Sequence, residues 1–320
     1  SPARGGRSSR RAACSAAGRS SSTGSVMARF WARTRPGSLR LRLLAVTLAT
    51  LDALRQLGWR PGVVSRGYGG RASGVHVLDD RSTADQVGDE PWLIRHRSGV
   101  PVAVGRDRLA AARALLQAHP AVDLIVADDG LQHRRLARQL EIVVFDDRGI
   151  GNGRLLPAGP LREPFGPLAP SGALVVYTAA HPSTPWPGLC LPRALRSACR
   201  LNDWLSTPQA DHDRPLSSLA GPRVLAMAGI AVPDRFFDAL TAAGLTIDRL
   251  PLPDHADLGG AAPWPPGTPC VVTTEKDAGK LARWAGLDRA AAPAIWVARL
   301  DLDVPAAFAA ELQARLPGRP

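Results

Sequence analysis

Hydrophobic positions along the chain recur with two spacings, one typical of amphipathic helices and one typical of short buried strands. The spacing over Thr47–Leu57 predicts a helix that ends at Gly58, and the apolar segment Pro61–Ser65 predicts a strand that leads into glycine-rich residues 67–70. The same patterns predict one more helix and three more strands in this part of the chain, at Asp107–Ala118, Val122–Ala127, Glu141–Phe145 and Ala173–Tyr177.

A second group of elements follows residues 179–220, a segment rich in proline and serine in which we place a domain junction. The elements predicted after it are Val224–Ile230, Pro233–Ala243, Thr246–Leu250, Cys270–Thr273, Lys276–Ala285, Ile295–Ala298 and Ala306–Leu316. Strands that alternate with helices predict a mainly parallel sheet, and therefore an α/β fold with a second, smaller α/β domain. Ligands of such sheets bind beyond the carboxyl ends of the strands.

The first 45 residues differ in composition from the rest of the chain. They contain ten arginines, no acidic residue and no hydrophobic period, so we predict that residues 1–46 are disordered. The formal net charge of +12 comes mostly from this segment, since 30 basic and 28 acidic residues follow residue 45. A nucleic-acid partner, which a basic chain would otherwise suggest, is therefore not expected.

Cysteine spacing and hydropathy exclude two further classes of protein. The four cysteines form no Cys-x-x-Cys pair, which argues against a structural zinc site and against a disulfide framework. The longest apolar run, Leu43–Leu51, is shorter than the ~18–20 residues that span a bilayer, so no transmembrane helix is predicted.

Two acidic pairs are the first candidates for chemistry. Asp128 and Asp129 end a predicted strand, where carboxylates could hold Mg²⁺, although Asp-Asp-Gly is also common in solvated turns. Asp89 and Glu90 lie between Gly88 and Pro91, in a predicted loop that could aim one carboxylate at a hydroxyl as a general base. The alternative for this second pair is an ordinary exposed acidic loop.

Three later segments could serve either chemistry or structure. The four glycines and two arginines of residues 149–163 could approach an anion or a sugar, or could form a plain crossover loop. A lone histidine such as His255 is more often structural than catalytic. Thr274, which precedes Glu275, Lys276 and Asp277, fits the N-cap of a helix.

Considered together, these segments resemble the tetraacyldisaccharide 4′-kinase family over about residues 47–300. The motifs that carry the resemblance occur in the family's order and rough spacing, and are Val64–Gly70, Gly88–Pro91, Asp128–His133, Asn152–Glu163, Pro253–His255 and Thr274–Asp277. The resemblance implies a P-loop-NTPase-like three-layer fold with a parallel sheet in residues 47–205 and a smaller C-terminal α/β domain in residues 221–320. It also implies transfer of the γ-phosphoryl group of ATP, with Mg²⁺, to the 4′-hydroxyl of an acylated glucosamine disaccharide 1-phosphate. The enzyme would be a peripheral monomer at the cytoplasmic face of the bacterial inner membrane.

The resemblance also implies roles for individual residues. Asp89 is similar to the family's catalytic base, paired with His255, and Asp128 and Asp129 are similar to its Mg²⁺ carboxylates. The residues that would line the substrate cleft are Glu90, Gln132, Asn152, Arg154 and Arg162.

One family motif is missing from the sequence. The glycine-rich phosphate-binding loop with its lysine should lie just before Thr47, but lysine occurs only at 276 and 280. Without that loop the β- and γ-phosphates lose their main ligands, and we expect the chain as given to be inactive. A shifted translation frame over residues 1–46 would explain the abrupt onset of the match. The alternatives are a non-catalytic relative that binds anionic surfaces through its arginine-rich tail, and a P-loop-like enzyme with a soluble substrate.

Overall fold

A computed structural model describes residues 26–32, 40–130, 133, 135–206, 212–254, 256, 258, 260–282, 284 and 292–318. Its strands are β1 Val26–Ala32, β2 Pro61–Ser65, β3 His76–Val77, β4 Val102–Val104, β5 Leu124–Ala127, β6 Leu140–Phe145, β7 Leu174–Tyr177, β8 Leu189–Cys190, β9 Arg193–Ala194, β10 Ser197–Arg200, β11 Arg214–Pro215, β12 Val224–Ala228, β13 Ile247–Pro251, β14 Cys270–Thr274, β15 Ala294–Ala298 and β16 Asp301–Leu302. Its helices are α1 Arg40–Gln56, α2 Ala84–Val87, α3 Asp89–Ser98, α4 Arg108–Ala118, α5 Leu201–Ser206, α6 Pro233–Ala242, α7 Glu275–Leu281 and α8 Ala306–Arg315, with a 3₁₀ turn at Leu216–Leu219.

The N-terminal part of the chain forms an eight-stranded sheet in the order β3-β4-β2-β5-β1-β6-β7-β8. All neighbouring strands are parallel except β3, which runs antiparallel to β4. The side chains of β2, β4, β5 and β7 are buried along their whole length, as expected for a sheet covered on both faces. Because the strands are parallel, the segments that follow β2, β4 and β5 meet at one edge.

The C-terminal part forms a six-stranded sheet in the order β11-β10-β15-β14-β12-β13. Strands β12 to β15 are parallel, and β10 and β11 are added at one side as antiparallel strands. Strands β9 and β16 form a separate antiparallel pair. Two sheets of unequal size agree with the predicted fold class, although β10 and α5 lie with the second sheet. The exact division at residues 205 and 221 remains a prediction.

One cluster of buried side chains joins the two sheets. It contains Val126 and Val144 of the first sheet and Val271 and Val297 of the second. A buried carboxylate lies at the same junction, since both oxygens of Glu275 accept from Arg97 Nη1 at 2.6 Å. The two parts of the molecule are therefore packed against each other through α3 and α7.

The Glu275 carboxylate accepts two further hydrogen bonds, and Arg97 has a second carboxylate partner. Trp204 Nε1 and the backbone N–H of Leu300 each donate to it at 3.2 Å, and Arg97 also donates to Asp301 at 3.1 Å. Burial would lower the pKa of Arg97, but Glu275 and Asp301 together raise it above its usual value.

The prediction that residues 1–46 do not pack is wrong for 26–32 and 40–46. Strand β1 lies between β5 and β6, and α1 begins at Arg40 rather than Thr47. The physical reason is that β5 and β6 each need a backbone partner, which a short segment can supply even within a low-complexity sequence. Residues 1–25 and 33–39 lie outside the described residues.

The other predicted elements are confirmed to within a few residues at their ends, except that the helix predicted over Lys276–Ala285 ends at Leu281, and residues 283 and 285 lie outside the described residues. Strand β2 has the predicted bounds, and α4 begins after Asp107, whose carboxylate accepts from the N–H groups of Leu109 and Ala110. In the part of the chain that the structure describes, no helix is both long enough and apolar enough to cross a bilayer.

Candidate functional site

The first component of the site is a buried carboxylate at the end of β5. Asp128 is 5% exposed, and its Oδ2 accepts a hydrogen bond of 2.9 Å from Ser65 Oγ at the end of β2. The apolar residues Leu124–Ala127 bury the strand and bring the carboxylate to the edge where ligands of parallel sheets bind. The pairing of Ser65 with Asp128 was not predicted, because the two residues are brought together only by the register of neighbouring strands.

Asp129 makes the second contact across this edge. Arg162 Nη1 donates to both of its oxygens, at 3.0 and 3.2 Å, and thereby ties the loop of residues 149–163 to the end of β5. The backbone of Asp129 has φ 47°, a left-handed conformation uncommon for residues other than glycine. The structure therefore brings together a predicted metal carboxylate and a predicted substrate arginine.

The residues at this edge suit Mg²⁺. No group of three or more histidine, cysteine, aspartate or glutamate side chains in the described ranges could by itself hold a metal ion. Mg²⁺ in phosphate enzymes, however, uses one or two carboxylates and takes its remaining oxygens from water and phosphate. The carboxylates of Asp128 and Asp129, with the Ser65 hydroxyl beside Asp128, provide the hard oxygen donors of that type of site.

Arg108 is a neighbouring residue that sequence reasoning missed. It is 2% exposed, and its Nη1 donates to the carbonyl of Gly105 at 2.9 Å. Burial lowers the pKa of Arg108, while the nearby charges of Asp128 and Asp129 act in the opposite direction. The sequence placed it in the predicted helix Asp107–Ala118 and assigned it no role, and only the packing of α4 against β2 and β4 allows its charge to interact with the two aspartates.

Asp89 lies at the first residue of α3, where the positive end of the helix dipole favours a carboxylate. The segment that contains it was predicted as a loop, which is wrong, because residues 84–98 form α2 and α3 joined at Gly88. Gly88 has φ 95°, and a Cβ atom there would lie 2.6 Å from the carbonyl oxygen of Tyr68. The glycine-rich loop after β2 can therefore pack directly against the start of α3.

An open cavity of about 670 Å³ lies beside these loops, between the ends of β2 and β4. The cavity is lined by three arginines, Arg66, Arg71 and Arg106. Residues 67–70, which follow β2, and Gly105, which follows β4, also line it. Oriented N–H groups and guanidinium groups attract anions, so the cavity suits a ligand that carries phosphate.

The other predicted site residues have separate positions. Asn152 Oδ1 accepts from the N–H of Arg154 at 3.1 Å, and Asn152 Nδ2 donates to the carbonyl of Ala158 at 2.9 Å. Asn152 therefore stabilises the loop of residues 149–163. The Arg154 side chain is exposed. Glu90 follows Asp89 in the first turn of α3. Gln132 and His255 lie outside the described residues.

Helix α7 carries the last predicted motif. The Thr274 hydroxyl accepts from the N–H of Asp277 at 3.2 Å, which confirms the predicted N-cap. Lys276 Nζ donates to Asp254 Oδ1 at 2.7 Å, which attaches α7 to the residue before His255.

Comparison with known proteins adds independent findings. The family model described as tetraacyldisaccharide-1-P 4′-kinase matches residues 45–317. A tetraacyldisaccharide 4′-kinase of Methylibium petroleiphilum is 55% identical over 271 residues, 84% of this chain and 75% of the relative. One of Leptothrix cholodnii is 49% identical over 273 residues, 85% of this chain and 78% of the relative. The crystal structure of LpxK from Aquifex aeolicus in complex with ATP superposes with a TM-score of 0.71 at 21% identity, covering 91% of this chain and 89% of that one, and confirms the P-loop kinase fold.

Proposed function

Since the chain belongs to the tetraacyldisaccharide-1-P 4′-kinase family and is thereby a phosphotransferase, we propose that its site transfers the γ-phosphoryl group of ATP to the 4′-hydroxyl of an acylated glucosamine disaccharide 1-phosphate in lipid A biosynthesis. The observation that carries the proposal is the set of contacts at one edge of the first sheet. Asp128 with Ser65 and Asp129 with Arg162 lie at that edge.

Each group at this edge has a distinct proposed part. Asp128 and Asp129 would hold Mg²⁺, which when bound neutralises phosphate charge and orients the transferred group. Asp89 accepts the proton of the 4′-hydroxyl as general base, with His255 as its partner. Glu90, Gln132, Asn152, Arg154 and Arg162 line the acceptor site, and the arginine-lined cavity receives the anionic part of the acceptor.

We further propose that this chain, as its sequence stands, transfers phosphate at a negligible rate. A phosphate-binding loop joins a strand to a helix. The residues between β1 and α1, numbers 33–39, are Arg-Thr-Arg-Pro-Gly-Ser-Leu and contain no lysine. The nested N–H groups and the lysine of a P-loop supply most contacts to the β- and γ-phosphates. Asp128 and Asp129 would then hold only the metal side of the nucleotide.

The acceptor also sets the proposed location. A tetraacylated disaccharide stays in a lipid surface, so the enzyme would bind the inner membrane peripherally, at its cytoplasmic face. We further propose that it works as a monomer.

A chimera tests the proposed function. Residues 1–46 are replaced by the corresponding segment of the Methylibium petroleiphilum relative, and transfer of labelled phosphate from ATP to the tetraacyldisaccharide 1-phosphate is measured in mixed micelles. We expect no measurable turnover in the original chain and clear turnover in the chimera, abolished by Asp128→Asn. An inactive, folded chimera would contradict the proposed activity, and an active original chain would contradict the proposed need for the missing loop.

A further inference from the structure

The only two lysines of the chain, Lys276 and Lys280, both lie on α7. Lys276 is half of an ion pair with Asp254, whose Oδ1 lies 2.7 Å from Lys276 Nζ. Because Asp254 directly precedes His255 in the sequence, this ion pair attaches the segment of the proposed catalytic histidine to α7.

Lys280 is a buried cation with an unusual environment. Its residue is 6% exposed, its Nζ lies 3.8 Å from Asp277 Oδ1, and Nζ has no hydrogen-bond partner in the part of the chain that the structure describes. Burial of an ammonium group without hydrogen bonds costs free energy. A position of Lys280 that served no purpose would therefore be unfavourable.

Asp277, the counter-ion of Lys280, is itself held firmly. It is fully buried, and its Oδ2 accepts from the N–H of Gly229 at 2.9 Å and from Thr274 Oγ1 at 2.7 Å. The Lys280–Asp277 pair is therefore fixed to the second sheet.

Helix α7 contacts α3 close to Asp89. A Cβ atom at Gly279 would lie 2.8 Å from the ring of Trp92, so a glycine is needed for the approach. Trp92 lies three residues after Asp89, one turn along the same helix. Lys280, the residue after Gly279, therefore lies near the first turn of α3, and the ion pair of Lys276 holds Asp254 against the same helix α7.

We propose that α7 positions the phosphoryl-transfer site through both lysines, with Lys280 as a buried cation packed near the first turn of α3, which carries Asp89, and Lys276 as the anchor of the segment that carries His255. The proposal rests on the assignment of Asp89 and His255 as the base and its partner. Helix α7 would thus fix the position of α3, which carries Asp89, relative to the segment that carries Asp254 and His255.

The charges around Lys280 affect the pKa of its ammonium group, which can be measured. Burial lowers the pKa of its ammonium, Asp277 opposes this effect, Lys276 lowers the pKa further, and Asp89 and Asp254 raise it. The ammonium therefore loses its proton below the ordinary value of 10.5, and removal of the Asp89 charge moves the midpoint lower still.

The full chain labelled with [¹³C]lysine allows a direct test, because its side-chain methylene spectrum contains signals of only two lysines. Lys276→Arg assigns them, and the Lys280 signal is followed as a function of pH in the unsubstituted chain, in Asp89→Asn and in Asp80→Asn. Asp80 is an exposed carboxylate paired with Arg95 on α3, and its substitution removes the same charge as a matched control.

We expect the Lys280 midpoint to fall in Asp89→Asn and to stay unchanged in Asp80→Asn. Equal midpoints in the three proteins would overturn the proposal, as would a Lys280 signal that titrates at its ordinary pH. If Asp89→Asn fails to fold, Asp254→Asn must lower the same midpoint. No turnover is measured, so an inactive chimera would contradict the proposed function without affecting this result.

Discussion

Loss of the Glu275 carboxylate is expected to weaken the packing between the two sheets. The substitution Glu275→Gln keeps the volume of the side chain and one acceptor oxygen but removes the charge that faces Arg97. Both partners are buried, with side-chain exposures of 6% for Glu275 and 13% for Arg97, so solvent screens their interaction little. Among the described residues, the ion-pair partner that remains to Arg97 is Asp301, which is 39% exposed.

The size of the expected loss of stability follows from the charge of Arg97, which stays buried without its Glu275 partner. Removal of one partner of a buried ion pair costs roughly 3–5 kcal/mol, mainly because the other charge stays buried. Since Asp301 still accepts from Arg97 and glutamine can still accept from Trp204 or Leu300, we expect a loss near the lower end, about 3 kcal/mol in the free energy of unfolding.

Urea unfolding monitored by tryptophan fluorescence measures this loss, with far-ultraviolet circular dichroism as a second probe. The double variant Arg97→Met/Glu275→Gln should be less destabilised than the sum of its single variants, because it leaves no buried charge unpaired. Asp248→Asn is the matched control, since it breaks an exposed ion pair with Arg223 and should change stability by less than about 0.5 kcal/mol. A change of that small size in Glu275→Gln, or strict additivity in the double variant, would refute this account of the junction.

Three further predictions concern the site and its supports. In the chimera, Asp89→Asn should reduce kcat by roughly 10²–10⁴ with little change in the KM for ATP, the expected loss of a positioned base; a change confined to that KM would exclude this role. Gly88→Ala, with its Cβ against Tyr68, should unfold at lower urea than Gly74→Ala, which also has positive φ but nothing within 4 Å; equal midpoints would disprove the close approach. Burial lowers the pKa of His96 from 6.5, so the unfolded chain binds a proton there more readily than the folded chain, and the free energy of unfolding should fall as pH drops below about 6.5. The fall should be smaller in His96→Phe, which retains a ring, and parallel pH profiles of the two proteins would contradict this.

The sequence by itself determined most of the elements and the side of the sheet that carries the chemistry. The apolar segment Val122–Ala127 predicts a buried strand, and in a parallel sheet the polar residues that follow such a strand lie at the carboxyl edge. The pair Asp128/Asp129 was visible for this reason, whereas Asp89/Glu90 stood out as two adjacent acids between Gly88 and Pro91. These inferences depend on local periodicity and on order along the chain.

Only the tertiary structure decided which of these groups meet. Ser65 Oγ lies 2.9 Å from Asp128 Oδ2 because β2 and β5 are neighbours, and the charge of Arg108 interacts with both aspartates because α4 packs on the sheet. The N-terminal strand β1 was missed because its sequence has no strong period, and its place between β5 and β6 depends on backbone pairing. The sequence assigned no role to Lys280, and only the approach of Gly279 to Trp92 showed that this residue packs near the helix that carries Asp89. Such contacts join residues far apart in sequence, and no local pattern encodes the register and packing that create them.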